Sequence, residues 1–190
     1  ISFAVKFFLQ SFLSFSLAGI GFVTVMIFRK EKFIEFGLVK KGALVSILLS
    51  IVAFIPHFIF LMVSKGFHGY MPMSGAIIFD SVMEQQLFVK IFCMIIVYFL
   101  WGFCEGFNYV FISQKLNIIF PNKRKFLNIG ALVCGFLCVM LHGGISFNMI
   151  AIFDALTMFV FVYGILLIKD INNNSWGCIF AFLFLWNAFP

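Results

Sequence analysis

Two side chains in this 190-residue sequence have the chemistry to activate water, and both lie within long apolar stretches. They are Glu105 and His142. A carboxylate held near a histidine is the arrangement that general-base activation of water requires. The same groups can bind a divalent metal such as zinc, with the histidine as ligand and the glutamate as ligand or base. Glu105 and His142 are therefore candidate catalytic and metal-binding residues.

Further polar side chains fall at a similar depth in other apolar stretches. We counted residues from the basic end of each stretch at about 1.5 Å per helical residue, which gives depths of roughly 18–26 Å. We expect these side chains to meet around a small wet cavity, because each one isolated in lipid would be costly. The alternative is a structural network that joins helices. His57 follows Pro56, so a role beside a kinked helix is favoured there. The predicted layer consists of His57, Glu105, His142, Asp154 and Asn187.

The neighbours of Glu105 favour close helix packing around it. Gly102 and Gly106 form a small-xxx-small pattern that lets another helix approach, and Asn108 and Tyr109 share a helix face with Glu105. The sequence has no His-Glu-x-x-His, no Gly-x-Ser-x-Gly and no phosphate-binding glycine loop. These absences exclude a soluble-type zinc protease, a serine hydrolase of the nucleophile-elbow type and a P-loop protein.

The composition places these residues in a membrane protein. Hydrophobic residues make up 64% and charged residues 11%, against about half and about a quarter in soluble domains. A soluble domain, a disordered chain, a disulfide-stapled secreted domain and a nucleic-acid binder are excluded. The predicted fold is an all-α polytopic transmembrane helix bundle in the cell membrane, a single integral-membrane domain over residues 1–190. The chain starts at Ile1, and we expect it to be a fragment.

Apolar runs of about 20 residues predict about six spans. The predicted spans are residues 7–28, 42–63, 87–111, 127–145, 149–168 and 176–189. Ten of the thirteen Lys and Arg residues lie on one side of this arrangement, which the positive-inside rule makes cytoplasmic. The basic loops 29–41 and 115–125 are thus predicted to face the cytoplasm. The excess of Lys and Arg over Asp and Glu therefore indicates membrane topology and contact with the lipid bilayer rather than a nucleic-acid partner.

Five cysteines all fall within the predicted spans and form no Cys-x-x-Cys pair. Buried free thiols behave as small hydrophobes, so we expect them to be reduced and structural.

Three stretches in the second half resemble the CPBP family, the CAAX-protease and bacteriocin-processing type intramembrane metalloproteases, also called the abortive-infection family. They are residues 101–110 (Trp-Gly-Phe-Cys-Glu-Gly-Phe-Asn-Tyr-Val), residues 141–143 (Leu-His-Gly) and residues 176–187, which begin with Trp-Gly-Cys-Ile and end with Trp-Asn. The resemblance covers residues 98–189. It implies a multi-pass helical protein in which glutamate and histidines activate water for peptide-bond hydrolysis within the membrane, with a divalent metal as a candidate cofactor.

The family motifs are Glu-Glu-x-x-x-Arg, Phe-x-x-x-His and His-x-x-x-Asn. Glu105, His142 and Asn187 match the second glutamate, the histidine of the second motif and the asparagine of the third. The remaining motif positions differ, since Cys104, Tyr109, Cys138 and Leu183 stand where the family has Glu, Arg, Phe and His. The resemblance implies that Asn187 stabilises an oxyanion. Asn108, Tyr109 and Asp154 are candidate supporting residues that replace lost groups.

Two functional hypotheses follow. The first is a CPBP-like intramembrane metallopeptidase that hydrolyses a membrane-associated peptide or small protein. The second is a catalytically inactive relative that acts as an immunity, sensing or scaffold protein. A small proton-coupled transporter ranks below both, because the sequence has no inverted repeat and no broken-helix signal beyond Pro56.

Overall fold

The computed structural model describes residues 2–64, 66, 68–121, 126–142 and 148–189. These residues form helices and contain no strand, so the all-α prediction is confirmed. In chain order the helices are α1 (Phe3–Ala18), α2 (Ile20–Arg29), a 3₁₀ turn (Phe33–Phe36), α3 (Ala43–Ser64), α4 (Phe79–Met83), α5 (Leu87–Val97), a π-helical segment (Tyr98–Cys104), α6 (Glu105–Ile119), α7 (Ile129–His142), α8 (Met149–Asn172), α9 (Trp176–Ala181) and a second π-helical segment (Phe182–Trp186).

The prediction of six spans is not supported. Among the described residues, three helices are long and apolar enough to cross a membrane, and a fourth span results if α1 and α2 count as one. The three are α3, the 33-residue helix Leu87–Ile119 and α8. The helix α7 has 14 residues, or about 21 Å, which is shorter than a hydrocarbon core of about 30 Å. The segment Trp176–Trp186 is shorter still.

The first predicted span is bent rather than straight. The axes of α1 and α2 differ by 51°, and the break falls at Gly19, which separates the two helices. An apolar-run count over residues 7–28 cannot detect such a break, because the hydrophobicity continues through it.

The helix that carries Glu105 contains a π-helical turn immediately before that residue. The α-helical pattern of α5 gives way at Tyr98–Cys104 and resumes at Glu105. The C-terminal helix changes in the same way at Phe182–Trp186. Insertions of this kind are rare and frequently occur at functional sites. Both π-helical segments face each other in the bundle.

Glycines set the closest helix contacts. A Cβ on Gly102 would lie 2.3 Å from Leu183 Cδ2, and a Cβ on Gly106 would lie 3.3 Å from the backbone of Ile179. The predicted close approach to the Gly102 and Gly106 face is therefore present, and the approaching element is the C-terminal helix. A Cβ on Gly130 would lie 2.1 Å from the backbone oxygen of Ser113, so α6 and α7 also pack with little space between them.

The basic connections gather at one end of the bundle, which we call the basic end. There the Ser175 amide donates to Gly37 O at 2.9 Å, Asn174 Nδ2 donates to Val39 O at 2.7 Å, and Gln114 Nε2 donates to Glu35 O at 3.0 Å. At the opposite end, the Met71 amide donates to Ala188 O at 2.9 Å. Residues 29–41, 114–121 and 169–175 thus lie together, and residues 122–125 of the second basic loop fall outside the described residues.

A hydrogen-bonded polar cluster closes the basic end. Asp170 Oδ2 accepts from the side-chain amides of Asn117 and Asn128, and Lys169 Nζ lies 3.0 Å from Asp170 Oδ1. Asn128 Oδ1 also accepts from the Ala131 amide at 2.8 Å, which caps the start of α7. The predicted spans 149–168 and 176–189 leave Lys169 and Asp170 in the connection between them, but both residues belong to α8, and only 5% of Lys169 is exposed.

Candidate functional site

Glu105 and His142 meet between the start of α6 and the end of α7. His142 Nε2 lies 3.1 Å from Glu105 Oε1. The side chain of Glu105 is 12% exposed and that of His142 is 37% exposed, so the pair lies at the edge of the packed interior. Two of the candidates that the sequence singles out are thus brought into direct contact.

The buried carboxylate oxygen of Glu105, Oε1, can accept a further hydrogen bond. Oε1 is buried and accepts no hydrogen bond of good geometry from the described residues, although His142 Nε2 is within ion-pair distance. Buried carboxylate oxygens normally have donors, since an unpaired one is costly. Oε1 can therefore accept a proton donor that enters the site beside His142.

Tyr109 follows Glu105 by one helical turn on α6 and contacts α7. The Cys134 thiol of α7 donates to Tyr109 O at 3.6 Å, and the Tyr109 hydroxyl lies close to the Cys138 thiol. The Tyr109 ring stacks on Phe182 with 5.3 Å between centroids, and the side chain is buried. Tyr109 thus joins α6, α7 and the C-terminal π-helical segment, and it stands at the sequence position where the resemblance implies an arginine.

Trp186 links His142 to the buried histidine His57. The indole ring meets the His142 ring edge-on at 5.6 Å and stacks on the His57 ring at 5.9 Å. His57 Nδ1 lies 3.0 Å from Thr157 Oγ1, and the Thr157 hydroxyl also lies within reach of the Asp154 carbonyl. The predicted polar layer is therefore connected partly through an aromatic ring.

The remaining candidates are not joined to the pair by hydrogen bonds among the described residues. Asn187 faces residues 70–78, since a Cβ on Gly75 would lie 3.1 Å from Asn187 Oδ1. No hydrogen bond or ion pair within the described part of the chain reaches the side chains of Asp154 or Asn108. The oxyanion role expected for Asn187 stays a prediction.

Residues 70–78 cover the end of the C-terminal helix. The Gly75 amide donates to Asn187 O at 3.1 Å, and Tyr70 Oη donates to Phe184 O at 3.0 Å. Burial raises the pKa of the Tyr70 hydroxyl, which keeps it protonated as a donor. Met73 is fully buried at a φ of 68°, an uncommon conformation for a residue other than glycine. This segment holds Asn187 in place.

A catalytic metal does not fit the described residues. Catalytic zinc sites use three protein ligands, and no group of three or more His, Cys, Asp or Glu side chains in the described ranges is placed to hold an ion. Glu105 and His142 supply two ligands. Leu183 occupies the position where the resemblance implies a histidine, and it packs against Gly102 instead. The expectation of zinc bound by His142 and Glu105 thus lacks a third ligand among the described side chains.

Sequence reasoning missed several polar contacts. It did not single out Thr157, although the residue lies three positions after Asp154 on the same helix. It also missed the cluster of Asn117, Asn128 and Asp170. The available signal was the occurrence of these polar residues at predicted helix ends, where capping side chains are common.

The chain was also compared with known proteins. No protein-family model, curated protein or solved structure matches it.

Proposed function

We propose that this chain is a CPBP-like intramembrane peptidase in which Glu105 and His142 activate water to hydrolyse a membrane-associated peptide or small protein. The observation that carries the proposal is the 3.1 Å separation of Glu105 Oε1 and His142 Nε2. The two groups come from different helices, and their contact requires the whole α6–α7 packing. General-base catalysis needs such a carboxylate within hydrogen-bond reach of the water that it deprotonates.

In the proposed reaction, Glu105 takes a proton from water while His142 orients that water through Nε2. The resulting hydroxide attacks the peptide carbonyl carbon and forms a tetrahedral intermediate. The C–N bond then breaks, and Glu105 gives its proton to the leaving amine. The products are a carboxylate and an amine, and Glu105 returns to its ionised form. The edge-on contact with Trp186 fixes the ring plane of His142.

The test is a comparison of protein N-termini in membranes of cells that express the wild type, Glu105→Gln or His142→Gln. We expect new N-termini with the wild type that both variants lose. Glu84→Gln is the matched control, because Glu84 is an exposed acid outside the pair, and it should leave the wild-type pattern unchanged. If the wild type and Glu105→Gln give the same N-termini, the proposal is wrong.

A second candidate function is a catalytically inactive relative that acts as an immunity, sensing or scaffold protein. This function is favoured by three positions at which the resemblance implies ionisable Glu, Arg and His side chains. Packed side chains stand there instead, namely Cys104, Tyr109 and Leu183. In this case Glu105 and His142 act as a helix-joining polar pair. Glu105→Gln would then lower stability without changing any N-terminus in the cell.

The proposal includes a location in the cell membrane with the basic end in the cytoplasm. The support is that residues 29–41 meet residues 114–121 and 169–175 at one end of the bundle. An excess of Lys and Arg is typical of cytoplasmic connections. The candidate spans indicate contact with the lipid bilayer as the surrounding medium.

A further inference from the structure

A groove with an apolar floor runs along the end of α2. Its volume is about 460 Å³, within the range of about 300–1,000 Å³ found for small-molecule sites. The apolar floor comes from α2 and consists of Phe22, Val23, Met26 and Ile27. The following turn adds Phe33 at the side of the groove. The groove lies on the outside of the bundle, away from Glu105 and His142.

The two aromatic residues of the groove, Phe22 and Phe33, pack against other rings of the bundle. The Phe22 ring meets Phe107 of α6 edge-on at 5.0 Å. The Phe33 ring meets Phe107 at 4.9 Å and Phe103 at 6.1 Å. Each of these pairs has the geometry that aromatic side chains prefer. Phe22 and Phe33 are thus packed against Phe107 of α6, so their positions do not depend on a bound ligand.

The polar rim of the groove carries unbalanced positive charge. Lys30, Glu31 and Lys32 line it. Glu31 is bound by Lys115, whose ammonium also lies 5.4 Å from the ring centroid of Phe36. Lys30 and Lys32 are exposed, and no carboxylate of the described residues pairs with either of them. The rim therefore has two available cations beside a neutralised acid.

The order of these groups matches the profile of a bilayer leaflet. The apolar floor lies along a helix that belongs to a candidate span, and the lysines follow directly after that helix ends at Arg29. Lys30 adopts a left-handed conformation with a φ of 57°, which turns the chain back across the end of α2. A lipid in this position would have its chains on the apolar floor and its headgroup at the lysines.

We propose that this groove binds one anionic phospholipid, with an acyl chain along the accessible apolar groove residues Val23, Ile27 and Phe33 and the phosphate group between Lys30 and Lys32. The charge of the rim selects an anionic headgroup over a zwitterionic one. The apolar floor selects a lipid over a free phosphate ion. This inference does not rest on the peptidase proposal, because none of the residues involved belongs to the Glu105–His142 pair.

The experiment is native mass spectrometry of the full chain in detergent. The protein is titrated with phosphatidylglycerol, with phosphatidylcholine of the same acyl chains and with inorganic phosphate. We expect the wild type to retain phosphatidylglycerol and to release the other two. Lys30→Gln with Lys32→Gln should weaken retention roughly tenfold or more, since one lysine near an anionic lipid surface contributes on the order of a fivefold change in affinity.

Two matched controls separate a defined site from general attraction. Lys40→Gln with Lys41→Gln removes the same charge from exposed residues of the same connection that do not line the groove, and it should change retention by less than about twofold. Ile27→Trp should weaken retention by filling the groove. Phe28→Trp, at an 82% exposed position outside the groove lining, should not.

Three results would overturn the proposal. The first is equal loss of retention for the two lysine pairs. The second is equal retention of phosphatidylcholine and phosphatidylglycerol. The third is displacement of phosphatidylglycerol by inorganic phosphate at equal concentration, because it would show that the lysines bind a free anion without help from the apolar floor.

Discussion

At the residue scale, the proposed function depends on one contact between side chains from different helices, that of Glu105 with His142. The sequence predicted that Glu105 and His142 share a layer, because depth along a helix can be counted from its basic end. It could not predict that Trp186 lies between His142 and His57, because helix rotation and ring orientation are set by packing. It also placed Asn187 in the site, and this stays a prediction, although the backbone of Asn187 bonds to residues 70–78.

The strength of the pair is measurable by a double-mutant cycle with Glu105→Gln, His142→Gln and the double variant. Interhelical hydrogen bonds in membranes average about 0.6 kcal/mol, with a maximum of about 1.7 kcal/mol. We expect a coupling free energy in that range from unfolding in mixed detergent titrations. Additive effects of the two substitutions would show that the side chains do not interact, and a cycle of Glu84→Gln with His142→Gln should be additive.

At the element scale, the sequence located most helices well but could not measure their continuity. The predicted starts at Leu87 and Met149 match those of α5 and α8, because apolar runs there coincide with single helices. The bend at Gly19 was not predicted, and neither was the short length of α7 and α9, which lie within the predicted spans 127–145 and 176–189. The reason is that hydropathy continues across breaks and cannot show where a helix ends. The π-helical turn before Glu105 has no clear pattern in residue types.

The contact between α6 and α7 predicts a large effect of adding one methyl group. The Cβ in Gly130→Ala would lie 2.1 Å from a backbone oxygen, so the helices must separate. We expect destabilisation by about 1–3 kcal/mol or more, measured as the free energy of unfolding. Gly21→Ala is the control, because nothing lies within 4 Å of its Cβ, and it should be neutral or stabilising by up to about 1 kcal/mol.

The polar cluster at the basic end predicts a second effect on helix packing. Asp170→Ala removes the acceptor of Asn117, Asn128 and Lys169, and it leaves the buried Lys169 ammonium without its counter-ion. Because Asp170 is partly exposed and Lys169 still donates to Gln114, we expect a loss of about 1–3 kcal/mol in the free energy of unfolding. Asp80→Ala removes an exposed carboxylate in α4 and should change stability by less than about 0.5 kcal/mol. Equal effects of the two variants would contradict the role given to the cluster.

At the scale of the whole molecule, composition alone predicted a multi-pass membrane protein, and the candidate spans of the structure agree with it. The charge pattern predicted which connections lie together, because Lys and Arg residues cluster in alternate links. The prediction of six spans is not supported, since six apolar runs do not require six helices of full length.

The side of the membrane can be tested by labelling with a membrane-impermeant maleimide. All five native cysteines are buried, so the background should be low. Lys40→Cys and Glu84→Cys place a thiol at exposed positions in connections on opposite ends of the bundle. We expect Glu84→Cys to react in intact cells and Lys40→Cys to react only after permeabilisation. The reverse pattern would invert the proposed orientation.

The most direct test of the central claim uses a peptide substrate identified from the N-termini and the purified chain reconstituted in lipid vesicles. We expect the wild type and Glu84→Gln to cleave the peptide at equal rates in the presence or absence of a metal chelator. Glu105→Gln should reduce the rate about 10²- to 10⁴-fold, the range for loss of a general base. Two results would contradict water activation by Glu105 and His142 alone. One is that Glu105→Gln cleaves the peptide at the wild-type rate, and the other is that the chelator abolishes cleavage by the wild type.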